Sequence, residues 1–122
     1  MAFKLFPGRI CLVSDALRCC GMPNGEYELG GQQVFLEGNV AKLADGTIAG
    51  SVTNLYDCMR KAVEFGISRE QAILSSTIIP ARQLGRGEEI GSIAPGKLAD
   101  FVVCTADLEK TAVYLGGKAL EG

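Results

Sequence analysis

Asp15 is the first residue whose placement could do chemistry. It follows the apolar run Ile10-Cys-Leu-Val-Ser14 and precedes a stretch rich in chain breakers, Gly21, Pro23, Asn24 and Gly25. In barrel enzymes a carboxylate at the C-terminal end of a strand sits on the catalytic face. There it can bind a metal, or carry a proton from activated water to a leaving group. The same position also suits an ordinary strand-end aspartate that caps its loop. Asp45-Gly-Thr-Ile-Ala-Gly-Ser51 is a second block. Its small residues, placed before a helix, let backbone approach a ligand with N–H groups pointing outward. A turn followed by a helix cap accounts for the same residues, and the Gly-Lys-Ser/Thr ending of a phosphate-binding P-loop is missing. In the third block, residues 91–103, Pro95-Gly96 leads into an apolar strand. Pro95 presets the first turn position and Gly96 accepts positive φ at the second, as a type II turn needs. Lys97 and Asp100 are of residue types that can act in chemistry, but are read as part of that turn, the lysine solvated.

Two counts exclude other chemistries. The chain has no histidine, so it cannot form a Ser–His–Asp or Cys–His unit or a histidine-ligated metal site within itself. Its cysteines (Cys11, Cys19, Cys20, Cys58 and Cys104) are odd in number and lack CxxC spacing. That pattern fits reduced thiols, with neither a disulfide framework nor a zinc ribbon. With 122 residues, of which 48% are hydrophobic, the chain is one domain or part of one and too apolar to be disordered. A formal net charge of −2 offers no electrostatic footprint for nucleic acid. No apolar run is long enough to span a membrane, and residues 1–9 do not read as a secretory signal. The expectation is a cytoplasmic protein with no nucleic-acid or membrane partner.

Several elements must position these residues. The run over 10–14 reads as a strand buried on both faces, of the parallel-sheet kind. Strands follow over 27–29, 32–36 and 40–43, joined by Gly30-Gly31 and Glu37-Gly38-Asn39. Val52, Leu55, Tyr56, Met59, Ala62 and Val63 have the spacing of an amphipathic helix. Ser51 or Thr53 is placed to cap its start, and Gly66 to end it. Ser68-Arg-Glu-Gln71 is a capping box opening a second helix to about residue 76. Pro80 fits the first position of a third, short helix. Strands resume over 101–104, 110–115 and 118–120. A single parallel-type strand cannot satisfy its own edges, so partners are expected on the N-terminal side.

Together the three blocks resemble the C-terminal part of the N-acetylglucosamine-6-phosphate deacetylases, within the metal-dependent amidohydrolase superfamily. Val13-Ser-Asp-Ala16, followed by Gly21-Met-Pro-Asn-Gly-Glu-Tyr-Glu-Leu-Gly-Gly31, is similar to the family's last barrel strand and the loop after it. Asp45-Gly-Thr-Ile-Ala-Gly-Ser51 resembles its glycine-rich signature. The block over 91–103 resembles a turn and strand found throughout the superfamily. Essentially residues 9–120 are covered.

The resemblance implies an α/β fold, the C-terminal fragment of a TIM-barrel amidohydrolase. Residues 1–89 would hold the last strand, the hairpin region and trailing helices, and residues 90–122 the short strands of the accompanying small β-sandwich domain. Asp15 would be the general acid/base, taking a proton from metal-bound water and passing it to the departing glucosamine nitrogen. Ile48, Ala49 and Gly50 would line the sugar, largely through backbone. By the resemblance, the family's metal ligands (histidines and a glutamate) and its phosphate-gripping residues would lie before this segment; a complete barrel takes about 250 residues, so 122 residues cannot contain one plus a second domain. Smaller departures are Ser14 for a usual threonine, Ile79 for a common asparagine, and Cys19-Cys20 for small residues. The implied cofactor is a divalent metal, zinc or iron, in the complete enzyme and none bound to this chain. The implied substrate is an amino-sugar phosphate. The isolated chain is therefore expected to be inactive. Two alternatives stand beside this: a non-catalytic module, alone or as a homo-oligomer paired through exposed strand edges, and complementation by a separate chain.

Overall fold

The computed structural model describes residues 1–120. In chain order the elements are α1 (Ala2–Leu5), β1 (Gly25–Leu29), β2 (Gln32–Glu37), β3 (Val40–Leu43), β4 (Ile48–Gly50), α2 (Leu55–Glu64), α3 (Arg69–Ser76), α4 (Ile78–Gln83), β5 (Phe101–Cys104), β6 (Lys110–Leu115) and β7 (Lys118–Ala119). The chain divides into two compact units. One is Val13–Lys61; the other combines Met1–Leu12 with Ala62–Gly122. Positions 121–122, the end of the expected 90–122 segment, lie outside the described residues.

In the first unit, β1-β2-β3-β4 form one sheet in that order, each strand antiparallel to the next. The register follows from turn chemistry: Leu29 pairs with Gln32 across Gly30-Gly31, and Glu37 with Val40 across Gly38-Asn39. Alternation then selects the buried face. Val34 and Leu36 point inward on β2, and Ala41 does so opposite Leu36 on β3. With Cys19 they form the core, against which Leu17, Tyr27, Leu43, Ala49 and Val52 pack. Burying a valine or leucine fully contributes about 1.5–3 kcal/mol, as Val34 and Leu36 do here.

Two expectations change here. The stretch over 10–14 is not a strand. Val13 is 77% exposed, and the Leu12 amide bonds to the Ser75 carbonyl at 2.9 Å. Among the described residues no strand runs alongside it, and an extended segment without ladder partners gains nothing from regularity. Ile48–Gly50, expected as an approach to a helix, is a strand paired with β3 across a bulge. The helix begins only at Leu55. Its cap is neither Ser51 nor Thr53 but Asn54, whose Oδ1 accepts the Asp57 amide at 3.0 Å. Ser51 Oγ accepts the Thr53 amide in the preceding bend.

The second unit holds the helix pair and a three-stranded sheet, β5-β6-β7. Ser68 Oγ accepts the Gln71 amide at 3.3 Å and starts α3 as its spacing predicts. Thr77, at φ −131°, separates α3 from α4. Pro80 is the third residue of α4 rather than the first. Lacking an N–H, it cannot bond to the carbonyl four residues back, which explains why the helical ladder breaks just there. Ala72, Ser75, Ile78, Ile79 and Ala81 are buried. Gly91 lies against α4 so closely that a Cβ would sit 2.8 Å from Ala81 Cβ and 2.9 Å from Ile78 Cα.

The expected turn is present. Lys97 N–H donates to the Ala94 carbonyl at 3.2 Å, with Gly96 at φ +87°. Lys97 is half-buried rather than solvated, its Nζ donating to the Gly87 carbonyl and, at 2.8 Å, to Ser92 Oγ. Asp100 Oδ1 accepts the Gly116 amide at 2.7 Å. Phe101 stacks on its cross-strand partner Tyr114 with ring centroids 4.6 Å apart, a pair of the kind that adds about 0.5–1.5 kcal/mol.

Candidate active site

The residues singled out in the first two blocks meet in the unit Val13–Lys61. Asp15 is exposed and takes φ +50°, a left-handed conformation that aspartate tolerates better than most side chains. The chain then turns extended for one step, and Ala16 forms a parallel bridge with Ser51. The Leu17 amide donates to the Ser51 carbonyl at 2.8 Å. Asp15 therefore precedes one partner of the bridge, and Gly50 precedes the other. This is the link that brings the aspartate beside Ile48–Gly50, residues more than thirty positions away in sequence.

The strand itself offers mainly backbone. Ile48 is 69% exposed, while Ala49 and Gly50 are half-buried. Ala49 faces the core. Gly50 is approached by Leu17, whose Cδ2 would lie 3.0 Å from a Cβ at that position. Downstream, the Cys20 thiol donates to the Val52 carbonyl at 3.1 Å, so the loop after Asp15 is fastened to the segment after β4 as well.

The turn that leads into β4 has its own electrostatics. Asp45 Oδ1 accepts the Thr47 amide at 2.9 Å. That backbone bond, and then the Thr47 hydroxyl, hold the Asp45 carboxyl below its ordinary range. The carboxyl thus favours its charged, turn-closing form. A separate surface hollow lined by Glu26, Tyr27, Glu28, Gly31 and Gln33 contains none of the singled-out residues.

A resident metal does not fit these residues. Among the described residues no group of three or more His, Cys, Asp or Glu is placed to hold an ion, and the chain has no histidine. All five cysteines are unpaired, with Cys19 buried.

The sequence reading missed three features. Leu17 carried no signal, because a lone leucine after a carboxylate matches no motif. Asn54 was visible as a capping residue type one position before a helix. Gly91 stood at the head of the third block, but its close approach to α4 depends on tertiary packing.

A sequence profile of the amidohydrolase family matches residues 34–120. The chain is 38% identical over 121 residues to the N-acetylglucosamine-6-phosphate deacetylase of Caenorhabditis elegans, covering 97% of this chain and 29% of that protein. It is 36% identical over 111 residues to an N-acetylgalactosamine-6-phosphate deacetylase of Escherichia coli O157:H7, covering 90% and 29%. In three dimensions it matches a mutant of the Mycobacterium smegmatis N-acetyl-D-glucosamine-6-phosphate deacetylase, solved in complex with N-acetyl-D-glucosamine-6-phosphate. That match has TM-score 0.81 and 34% identity, over 97% of this chain and 32% of the other. The chain thus spans about a third or less of these three proteins. By profile, sequence and backbone alike, it belongs to the amidohydrolase family.

Proposed function

We propose that this chain is the C-terminal portion of a deacetylase that hydrolyses the acetamide of N-acetylglucosamine 6-phosphate to glucosamine 6-phosphate and acetate. In this reading residues 1–89 belong to the end of a TIM barrel and residues 90–122 to a small β-domain beside it. Asp15 is the general acid/base. Its carboxylate accepts a proton as water attacks the acetamide carbonyl, a C–O bond forms, and the same proton passes to the sugar nitrogen as the C–N bond breaks. One carboxylate serves both steps in turn. Ile48, Ala49 and Gly50 line the sugar through their backbone, which is left most accessible at Ala49 and Gly50.

The observation that carries this reading is the Ala16–Ser51 bridge, which sets the aspartate beside the small-residue strand. Zinc or iron in the complete enzyme would have its ligands outside this chain, so the chain alone is inactive. Purified chain with added zinc or iron should not release acetate above a metal-only blank. Placed in the Mycobacterium smegmatis deacetylase in exchange for the matching segment, it should restore hydrolysis. Asp15→Asn in that chimera should lower kcat by about 10²–10⁴-fold. Turnover by the chain alone, an inactive folded chimera, or full activity of Asp15→Asn each overturns the reading. We further propose that the isolated chain self-associates through its exposed strand edges; sedimentation as a monomer would refute this.

A further inference from the structure

We infer that Leu17 is a positioning residue for the proposed reaction, fixing the Asp15 carboxylate in register with Ile48–Gly50. The inference rests on the reaction proposed above and adds a residue to it.

Asp15 and Ala16 are both exposed, and Asp15 sits in a left-handed conformation that neighbouring structure must hold. Neither residue packs on the core. Leu17 does. Its side chain lies against the cluster of Cys19, Val34, Leu36 and Ala41, on which Ala49 also packs. Its amide makes the 2.8 Å bond to the Ser51 carbonyl. Its methyl groups occupy the space that a side chain at Gly50 would need, with Cδ2, Cγ and Cδ1 at 3.0, 3.1 and 3.4 Å from the position of a Cβ. The leucine and the missing side chain are complementary: one fills what the other vacates. Its carbonyl also accepts the Cys20 amide at 2.9 Å, closing the loop behind it. The place of the aspartate is therefore set two residues downstream, by a side chain that touches the sugar-lining strand.

A residue that merely fills the core would disturb β1 and β2 as much as Asp15. A positioning residue disturbs the bridge and its neighbours first. Nuclear magnetic resonance on the full 122-residue chain separates the two. The parent should show contacts between the Leu17 methyls and the Gly50 α protons and a protected Leu17 amide. In Leu17→Ala that amide should exchange at least about tenfold faster. The Asp15 and Ile48–Gly50 signals should shift together, while those of Gly25–Leu29 stay in place. Leu17→Met, of similar volume, should restore the parent pattern. Gly50→Ala keeps the core leucine but crowds it, and should move the same signals should Leu17→Ala fail to fold. A parent without the Leu17–Gly50 contact, or an equal disturbance of Gly25–Leu29, overturns the inference.

The chimera supplies a second readout. Leu17→Ala should lower kcat by about tenfold or more and Leu17→Met by less than about twofold, since misplacement by an ångström costs up to about 10²-fold. Loss of activity in Asp15→Asn with retention in Leu17→Ala would defeat the inference and leave the reaction standing. An inactive parent chimera would defeat the reaction, and the resonance experiment would still decide the geometry.

Discussion

The unit Val13–Lys61 and the helix pair that follows it reach their buried residues by opposite means. In the first, four strands pair with their chain neighbours, and alternation brings Val34, Leu36 and Ala41 to one face. In the second, α3 and α4 bury Ala72, Ser75 and Ala81 together with Ile78 and Ile79, and Gly91 presses its backbone onto α4. The sheet is organised by what its side chains fill. The helix pair also fills space with Ile78 and Ile79, but its contact with Gly91 depends on a side chain left out. A sheet of this kind tolerates change at its exposed positions, whereas Gly91, where a Cβ would lie 2.9 Å from Ile78 Cα, tolerates no added atom.

Four substitutions break or sharpen that contrast. Gly91→Ala should have the largest effect, because its Cβ meets Ala81 and the Ile78 backbone and its φ of +86° disfavours any side chain. A loss of about 2–4 kcal/mol is expected from overpacking and backbone strain together, read as a lowered urea midpoint. Stability equal to the parent would show that the helix pair can yield. The two helix caps provide a matched test across the units. Asn54→Ala and Ser68→Ala remove acceptors for the Asp57 and Gln71 amides, and each should cost about 1 kcal/mol. A cap worth nothing in either unit would mean that packing alone starts that helix. Asp45→Asn should have the smallest effect. Its carboxyl is held low by Thr47, so the charged turn contributes at neutral pH, where both folded and unfolded forms are ionised. That contribution falls away as pH drops from the unfolded carboxylate range through the lowered folded value. Denaturant midpoints at neutral and acidic pH should therefore lie closer together in Asp45→Asn than in the parent.

What could be read from the sequence was local. Gly30-Gly31 and Glu37-Gly38-Asn39 mark hairpins because two-residue loops demand such residues, and β1, β2 and β3 form where the alternation places them. Ser68 caps α3 because its hydroxyl accepts an amide three residues on. Pro95-Gly96 makes its turn, and the three closing strands follow it. What could not be read depends on partners distant in sequence. The run over 10–14 has the composition of a buried strand, but strand formation needs a neighbour, and Val13 instead faces solvent. Ile48–Gly50 becomes a strand because β3 is beside it, a fact its three residues do not encode. Asp15 and the glycine-rich block were each legible as candidates, and their resemblance to deacetylases linked them. The physical join through Leu17 and Ser51 was not legible, since a single bridge leaves no periodic trace.

Lys97 has a consequence for reagents that modify amines. Its ammonium holds the Gly87 carbonyl and the Ser92 hydroxyl, and to be acylated it must release both and reach solution. Lys4, Lys42 and Lys118 already stand in solvent. Mild acetylation or biotinylation would therefore mark those three early and Lys97 late, and its labelling would report the moment the proline-glycine turn comes loose.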